Sequence, residues 1–179
     1  MAEKSAFDLL STIRDQAIDL ASDSAAYSKQ SAGVKNIAYV INGVNFYCEA
    51  KDVKEISTCD SLTVVPQTKQ WMRGLVNSKG VLYSVTDMSL FAGFDRAIQE
   101  SRGHLLLLDD PDRQSALLVN RVIGFRYFDD SNKKSIDSSE ELPDGLSPFV
   151  SEAFKAEDEM WYRLDVEKLL ISEQFREVQ

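Results

Sequence analysis

Histidine is almost missing from this chain: His104 is the only one among 179 residues. A multi-histidine metal centre is thereby excluded, and so is any Ser-His-Asp arrangement that does not run through that one residue. His104 stands directly before the apolar run Leu105–Leu108, a place that suits the start of a strand better than a general base. Cysteine is nearly as scarce. Cys48 and Cys59 have neither metal-ligand spacing nor a redox-pair motif, so they read as reduced, partly buried thiols. Long apolar runs are lacking too. The longest, Ile37 to Ile41, is far too short to span a bilayer. Glu3, Lys4 and Asp8 leave the first residues without the apolar core of a signal peptide. The expectation is a soluble, cytoplasmic protein with no direct membrane insertion.

Positive charge is also in short supply, with 20 Lys and Arg against 29 Asp and Glu and a formal net charge of -9. Sequence-independent nucleic-acid binding depends on clustered cations that displace counterions, so no nucleic-acid partner is expected, and anionic membrane surfaces are disfavoured for the same reason. No glycine-rich phosphate loop precedes a helix, and no paired carboxylates sit in a recognisable cleft motif. The expected catalytic residues, metal ligands and cofactors are therefore none. What the chain does have is 44% apolar residues, enough for one good core or two small ones that lean on each other.

The first segment reads as a helix. Ser5 suits an N-cap, and Phe7, Leu10, Ile13, Ala17, Leu20 and Ala21 recur at three- and four-residue steps. The stripe fades into Ser22, Ser24, Ser28, Ser31 and Gly33, which sets a boundary between an N-terminal helix and linker, 1–33, and a main domain, 34–179. There the period becomes two. Ile37, Tyr39 and Ile41 share one side, and Val44, Phe46 and Cys48 follow Asn42-Gly43, a pair suited to a tight hairpin turn. Further strands are expected at Val53–Ser57, Leu62–Val65, Gly74–Asn77, Val81–Val85, Leu105–Asp109, Ser115–Val119, Arg121–Phe128 and Met160–Leu164. Pro111-Asp112 reads as a turn, and the acidic stretch Asp129 to Ser147 as an exposed loop. Asp165 suits the N-cap of a short closing helix that carries Val166, Leu169 and Leu170 on one face. Many short strands with close turns point to barrels or a sandwich.

The segment Pro66 to Met88, PQTKQWMRGLVNSKGVLYSVTDM, resembles the signature of CheW-like domains. Pro66, Gly74, Asn77, Lys79, Gly80, Val85 and Asp87 stand at the matching places. Lys79 replaces the usual arginine, Ser84 stands where proline is common, and Met88 stands for leucine. Val53-Lys54-Glu55-Ile56 resembles the family's Val-x-Glu-aliphatic strand, and Leu118 to Val122 its Val-Asp-x-Val strand with asparagine for aspartate. The likeness covers about Val34 to Leu170, and it leans towards the pilus-associated, twitching-motility branch over the flagellar one.

This resemblance implies a mainly β fold, two packed five-stranded SH3-like barrels with a C-terminal helix, to which the N-terminal helix is an addition. It also implies a non-catalytic adaptor that couples the cytoplasmic tip of a chemoreceptor to the regulatory domain of a CheA-like histidine kinase, recruited to receptor arrays at the inner membrane or cell pole. The partner-binding residues carried over are Val53, Glu55, Gly74, Asn77, Lys79, Gly80, Asp87 and Val122. Several have ordinary structural readings beside the functional one. Gly80 suits a turn, Gly74 a bulge or close backbone approach, Asp87 a cap, and Val53 and Val122 core positions. Trp71 and Met72 read either as a docking patch or as buried residues. The resemblance places Lys79 near Glu55, so either an ion pair or two separately solvated charges is expected there. A ligand- or oligonucleotide-binding β-barrel is the rival reading, and the net charge speaks against it.

Overall fold

The computed structural model describes residues 34–128, 133–134, 142–156 and 158–177. The expected N-terminal helix lies outside these residues, as does most of the acidic stretch that follows Phe128.

The Asn42-Gly43 hairpin forms as its sequence dictates. Strands β1 (Asn36–Ile41) and β2 (Val44–Glu49) pair antiparallel with Ile41 opposite Val44. Asn42 and Gly43 both take positive φ, 46° and 89°, which gives a two-residue turn whose twist matches the strands. Strands β3 (Val53–Thr58), β4 (Met72–Ser78) and β5 (Val81–Asp87) follow, then a one-turn helix α1 (Met88–Phe91). Next come β6 (His104–Leu108), β7 (Ser115–Val119), β8 (Arg121–Arg126) and the two-residue β9 (Lys133–Lys134). The chain closes with β10 (Val150–Ala156), β11 (Glu159–Leu164), α2 (Val166–Ile171) and α3 (Glu173–Arg176).

Two mixed sheets result. One runs β8-β1-β2-β11-β10-β9, the other β3-β6-β7-β5-β4. Each contains one parallel pair, β2 with β11 and β5 with β7, among antiparallel neighbours. Side-chain alternation divides the cores. Leu105, Leu107, Ala116 and Leu118 join Val76, Tyr83 and Val85 on one face of the second sheet. Leu106, Leu108, Leu117 and Val119 point the other way, against Ile37, Tyr39, Ile41, Phe46 and Tyr162 of the first sheet. Strands β6 and β7 are thus buried on both faces, which is why they read as continuous aliphatic runs. Burying each such leucine contributes about 1.5–3 kcal/mol. Ala38, Tyr47, Phe154 and Trp161 form a third cluster on the far face of the first sheet.

Asp165 caps α2 by accepting from the Lys168 amide, and Val166, Leu169 and Leu170 are buried, as their spacing predicts. Several features differ from the sequence reading. Leu62–Val65 is not a strand: only Thr63 pairs, with Leu75, and Val64 is exposed. The bulge between Met72 and Gly74 disrupts the edge that would continue the pairing. Strand β10 has no counterpart in the reading, because a register shift between Val150 and Glu152 breaks its alternation, so that Val150, Ala153 and Phe154 are the buried residues. Helix α1 was likewise not expected. The first sheet has six strands where five were expected, because β9 adds a short edge.

Both cysteines are free and buried. Burial, with Asp52 nearby, pushes the Cys48 thiol from 9.0 up to about 12. A folded value above the unfolded one means that this group favours folding below the unfolded value and ceases to do so as pH rises from about 9 to about 12. At pH 8 a thiol reagent is expected to leave Cys48 unmodified in the native protein and to label it on unfolding. Labelling at the same rate with and without denaturant, followed by peptide mapping, would refute that assignment.

Candidate docking surface

The β4–β5 hairpin carries most of the residues singled out in the sequence. Ser78 pairs with Val81, so Lys79-Gly80 is a two-residue turn, and both take positive φ, 53° and 86°. Asn77 secures it, its Oδ1 accepting from the Gly80 amide at 2.9 Å. Lys79 Nζ donates to Glu55 Oε2 at 2.7 Å. This resolves the choice left open by the sequence in favour of the ion pair. Because β3 begins the five-strand order and the β4–β5 hairpin ends it, the pair links the two ends of the sheet. With Lys79 mostly exposed, it adds only ~0.2–1 kcal/mol.

Gly74 satisfies both of its expected roles. It sits at the bulge of β4 with φ 141°, and an added Cβ would lie 2.2 Å from the Thr63 carbonyl oxygen. Asp87 is fully buried at the opposite end of β5 from the Lys79 turn. One carboxylate oxygen accepts from the Ser89 and Leu90 amides at 2.9 and 3.2 Å, capping α1. The other accepts from the Ile98 amide at 2.8 Å and from Arg73 at 3.2 Å. Arg73 also pairs with Glu100. Asp87 therefore organises the loop after α1 from within. Val53 and Val122 are half-buried, packed on the large core shared by the two sheets. Met72 is buried, and Trp71 packs on Phe91 and Phe175, so these two belong to the core and not to a docking patch.

The structure thus brings Glu55, Asn77, Lys79 and Gly80 together at one end of the second sheet. Gly74 and Asp87 lie inside, and Val53 and Val122 lie at the margin of the core. The exposed apolar side chains are mostly ones the sequence reading passed over. Ile123, Phe125 and Tyr127 recur at two-residue steps along edge strand β8 and just beyond it, with Phe125 57% exposed and Lys35 Nζ 3.7 Å from its ring centre. Ile56 is exposed on edge strand β3, and Val81 and Leu82 directly follow the Lys79-Gly80 turn. The β8 alternation is visible in the sequence, but it does not say which side of an edge strand faces water.

Across the outer strands of the first sheet, Arg163 on β11 pairs with Glu49 on β2 and with Glu152 on β10, and Glu152 also pairs with Lys133 on β9. The ladder follows the strand order β2-β11-β10-β9. Lys133, foremost, holds the Glu152 carboxyl below its usual range.

Comparison with known proteins agrees with this architecture. Residues 37–174 match the sequence profile of the CheW-like domain. Protein PilI of Pseudomonas aeruginosa is 26% identical over 155 residues, an alignment that spans 84% of each chain. The crystal structure of the scaffolding protein TtCheW from Thermoanaerobacter tengcongensis superposes with a TM-score of 0.64 at 18% identity, covering 75% of this chain and 86% of that one. With the profile running from the first strand of one sheet through the closing helices, this chain belongs to the CheW-like domain family.

Proposed function

We propose that this protein is a non-catalytic adaptor coupling the cytoplasmic tip of a methyl-accepting type chemoreceptor to the regulatory domain of a CheA-like histidine kinase, in control of type IV pilus twitching motility. The observation that carries this reading is the pairing of a CheW-like fold with two separate exposed surfaces. One is the Glu55–Lys79 end of the second sheet, with Val81 and Leu82 beside the turn. The other is the Ile123, Phe125 and Tyr127 edge of the first. Two docking surfaces on one rigid body let receptor state bias kinase state through coupled binding equilibria, with no bond made or broken. The likeness to PilI supports the pilus branch. Val53, Gly74 and Val122 serve by shaping these surfaces and Asp87 by ordering the loop after α1; Glu55, Asn77, Lys79 and Gly80 form part of one. The adaptor works in the cytoplasm, at receptor arrays.

Co-purification of the full chain with its CheA-like kinase and a soluble receptor fragment is expected to yield a ternary complex. Glu55→Lys and Lys79→Glu are each expected to weaken capture, and the charge-swapped double variant to recover up to about fivefold in affinity, the equivalent of ~1 kcal/mol of coupling. Absence of any complex with the unaltered protein would defeat the adaptor reading. A double variant no better than either single would defeat only the role given to the ion pair.

A further inference from the structure

Strands β5 and β7 lie side by side with Ser84 opposite Ser115. Thr86, two residues along β5, shares the face of Ser84, so three hydroxyls converge on one side of the sheet. They form the wall of a cleft of about 210 Å³ whose apolar lining is Met72 and Phe175 and whose remaining lining residues are Arg113 and Arg176. Among the described residues the Ser84 and Ser115 hydroxyls make only long contacts, to the Gln114 and Arg113 carbonyls at 3.5 and 3.4 Å. Thr86 is 3% exposed and lines the cleft beside them.

The charge arrangement is unusual for so acidic a chain. The lining holds two guanidinium groups and no carboxylate, although the protein carries a net charge of -9. The neighbouring cleft, which Arg113 borders as well, is lined by Asp52, Asp109, Asp110, Asp112 and Glu167. Arg113 is fixed in place by donating from one nitrogen to the Leu170 carbonyl, which leaves its other donors available. Arg176 is exposed and has no carboxylate partner among the described residues. Two forked cations beside a wall of hydroxyl residues make a receptor for a planar oxyanion, which accepts paired N–H bonds. Buried Met72 and Phe175 add a surface that a fully hydrated inorganic ion does not use.

We propose that this cleft is a binding site for a small organic carboxylate, its oxygens held by Arg113, Arg176 and Thr86 and its alkyl portion resting on Met72 and Phe175. The cleft shares no residue with either docking surface, and the proposal does not depend on the adaptor reading.

The test is an amide-resolved NMR titration of the full chain with sodium butyrate, run beside sodium phosphate and sodium chloride at matched ionic strength. Butyrate is expected to give saturable shifts centred on Thr86, Ser115 and Arg176, weakened at least tenfold in Arg176→Gln and in Thr86→Val. Thermal unfolding of both variants checks that they remain folded. Arg176→Lys, which keeps the charge and loses the fork, is expected to recover only part of the affinity. Shifts no greater than those with chloride would overturn the proposal. So would saturation by phosphate without saturation by butyrate, which would assign the cleft to an inorganic anion, or butyrate binding that both variants leave unchanged.

Discussion

Asp87→Ala is expected to lower stability by about 3–5 kcal/mol, the cost of leaving several buried amide donors without an acceptor at about 1–3 kcal/mol each. Three backbone amides, those of Ser89, Leu90 and Ile98, lose their acceptor at once, and Arg73 is left with Glu100 alone. Asp87→Asn separates this network from simple loss of volume. Asparagine keeps one oxygen for Ser89 and Leu90, but its NH₂ group then faces the donors of Ile98 and Arg73, so roughly half the loss, about 2 kcal/mol, is expected. Denaturant unfolding of the two variants measures both, and hydrogen exchange at the Ile98 amide reports the release of the loop after α1. A loss below about 1 kcal/mol in the alanine variant would show that the network does not hold this end of the sheet. Burial pushes the Asp87 carboxyl above its ordinary range, against the amides and Arg73, which pull it down. A folded value raised in this way favours folding below the unfolded value and loses that contribution as pH rises through the folded one. The cost of Asp87→Ala is therefore expected to be no smaller in acid than at neutral pH.

Much of this fold was legible because its strands obey period two between strong turn signals. Asn42-Gly43 dictated the first hairpin, and the aliphatic runs at Leu105 and Ser115 marked strands buried on both faces. The reading failed where register breaks. β10 carries a bulge that moves its buried residues off alternation, and Leu62–Val65 has the composition of a strand but only one paired residue. Local pattern cannot report whether a partner edge is free to receive a strand. Helix α1 escaped for another reason: four residues are too few for a periodic stripe, although Asp87 does cap it through the Ser89 and Leu90 amides.

The candidate site divides along the same line. The Asn77 to Gly80 turn and the Glu55–Lys79 pair were legible through the family pattern, since each needs a particular residue type at a particular place. The apolar edge of β8 was only half legible. Its strand was expected, but Val122 was singled out while Ile123, Phe125 and Tyr127 are the side chains in water. The bulge opposite Ala38 and Tyr39 shifts the pairing of β8 with β1, and only the three-dimensional register fixes which residues lie outward. Asp87 was conspicuous in type and position, and its bonds to the Ser89 and Leu90 amides match the cap reading.

Gly74 and Gly80 stand six positions apart in one hairpin, both at positive φ, and are expected to respond very differently to a methyl group. At Gly80 an added Cβ meets nothing within 4 Å, so Gly80→Ala carries only the left-handed backbone cost of about 1–2 kcal/mol. At Gly74 the Cβ would lie 2.2 Å from the Thr63 oxygen, 2.8 Å from its carbonyl carbon and 3.0 Å from the Val64 Cα. All three are backbone atoms, which cannot swing aside as a side chain does. Relief requires the Thr63–Leu75 bridge, with its two 2.8 Å hydrogen bonds, to open. Together with the strained φ this is expected to cost about 3 kcal/mol or more, measured by denaturant unfolding, with accelerated exchange at the Leu75 amide. Gly74→Asp adds a charge at the same buried position. Loss of the ternary complex in that variant is accordingly expected to track loss of structure at Thr63 and Val64, because the side chain strikes its own chain before it can reach a partner. A Gly74→Asp protein of parental stability and Leu75 exchange that nonetheless fails to bind would reverse the assignment and make Gly74 a direct contact.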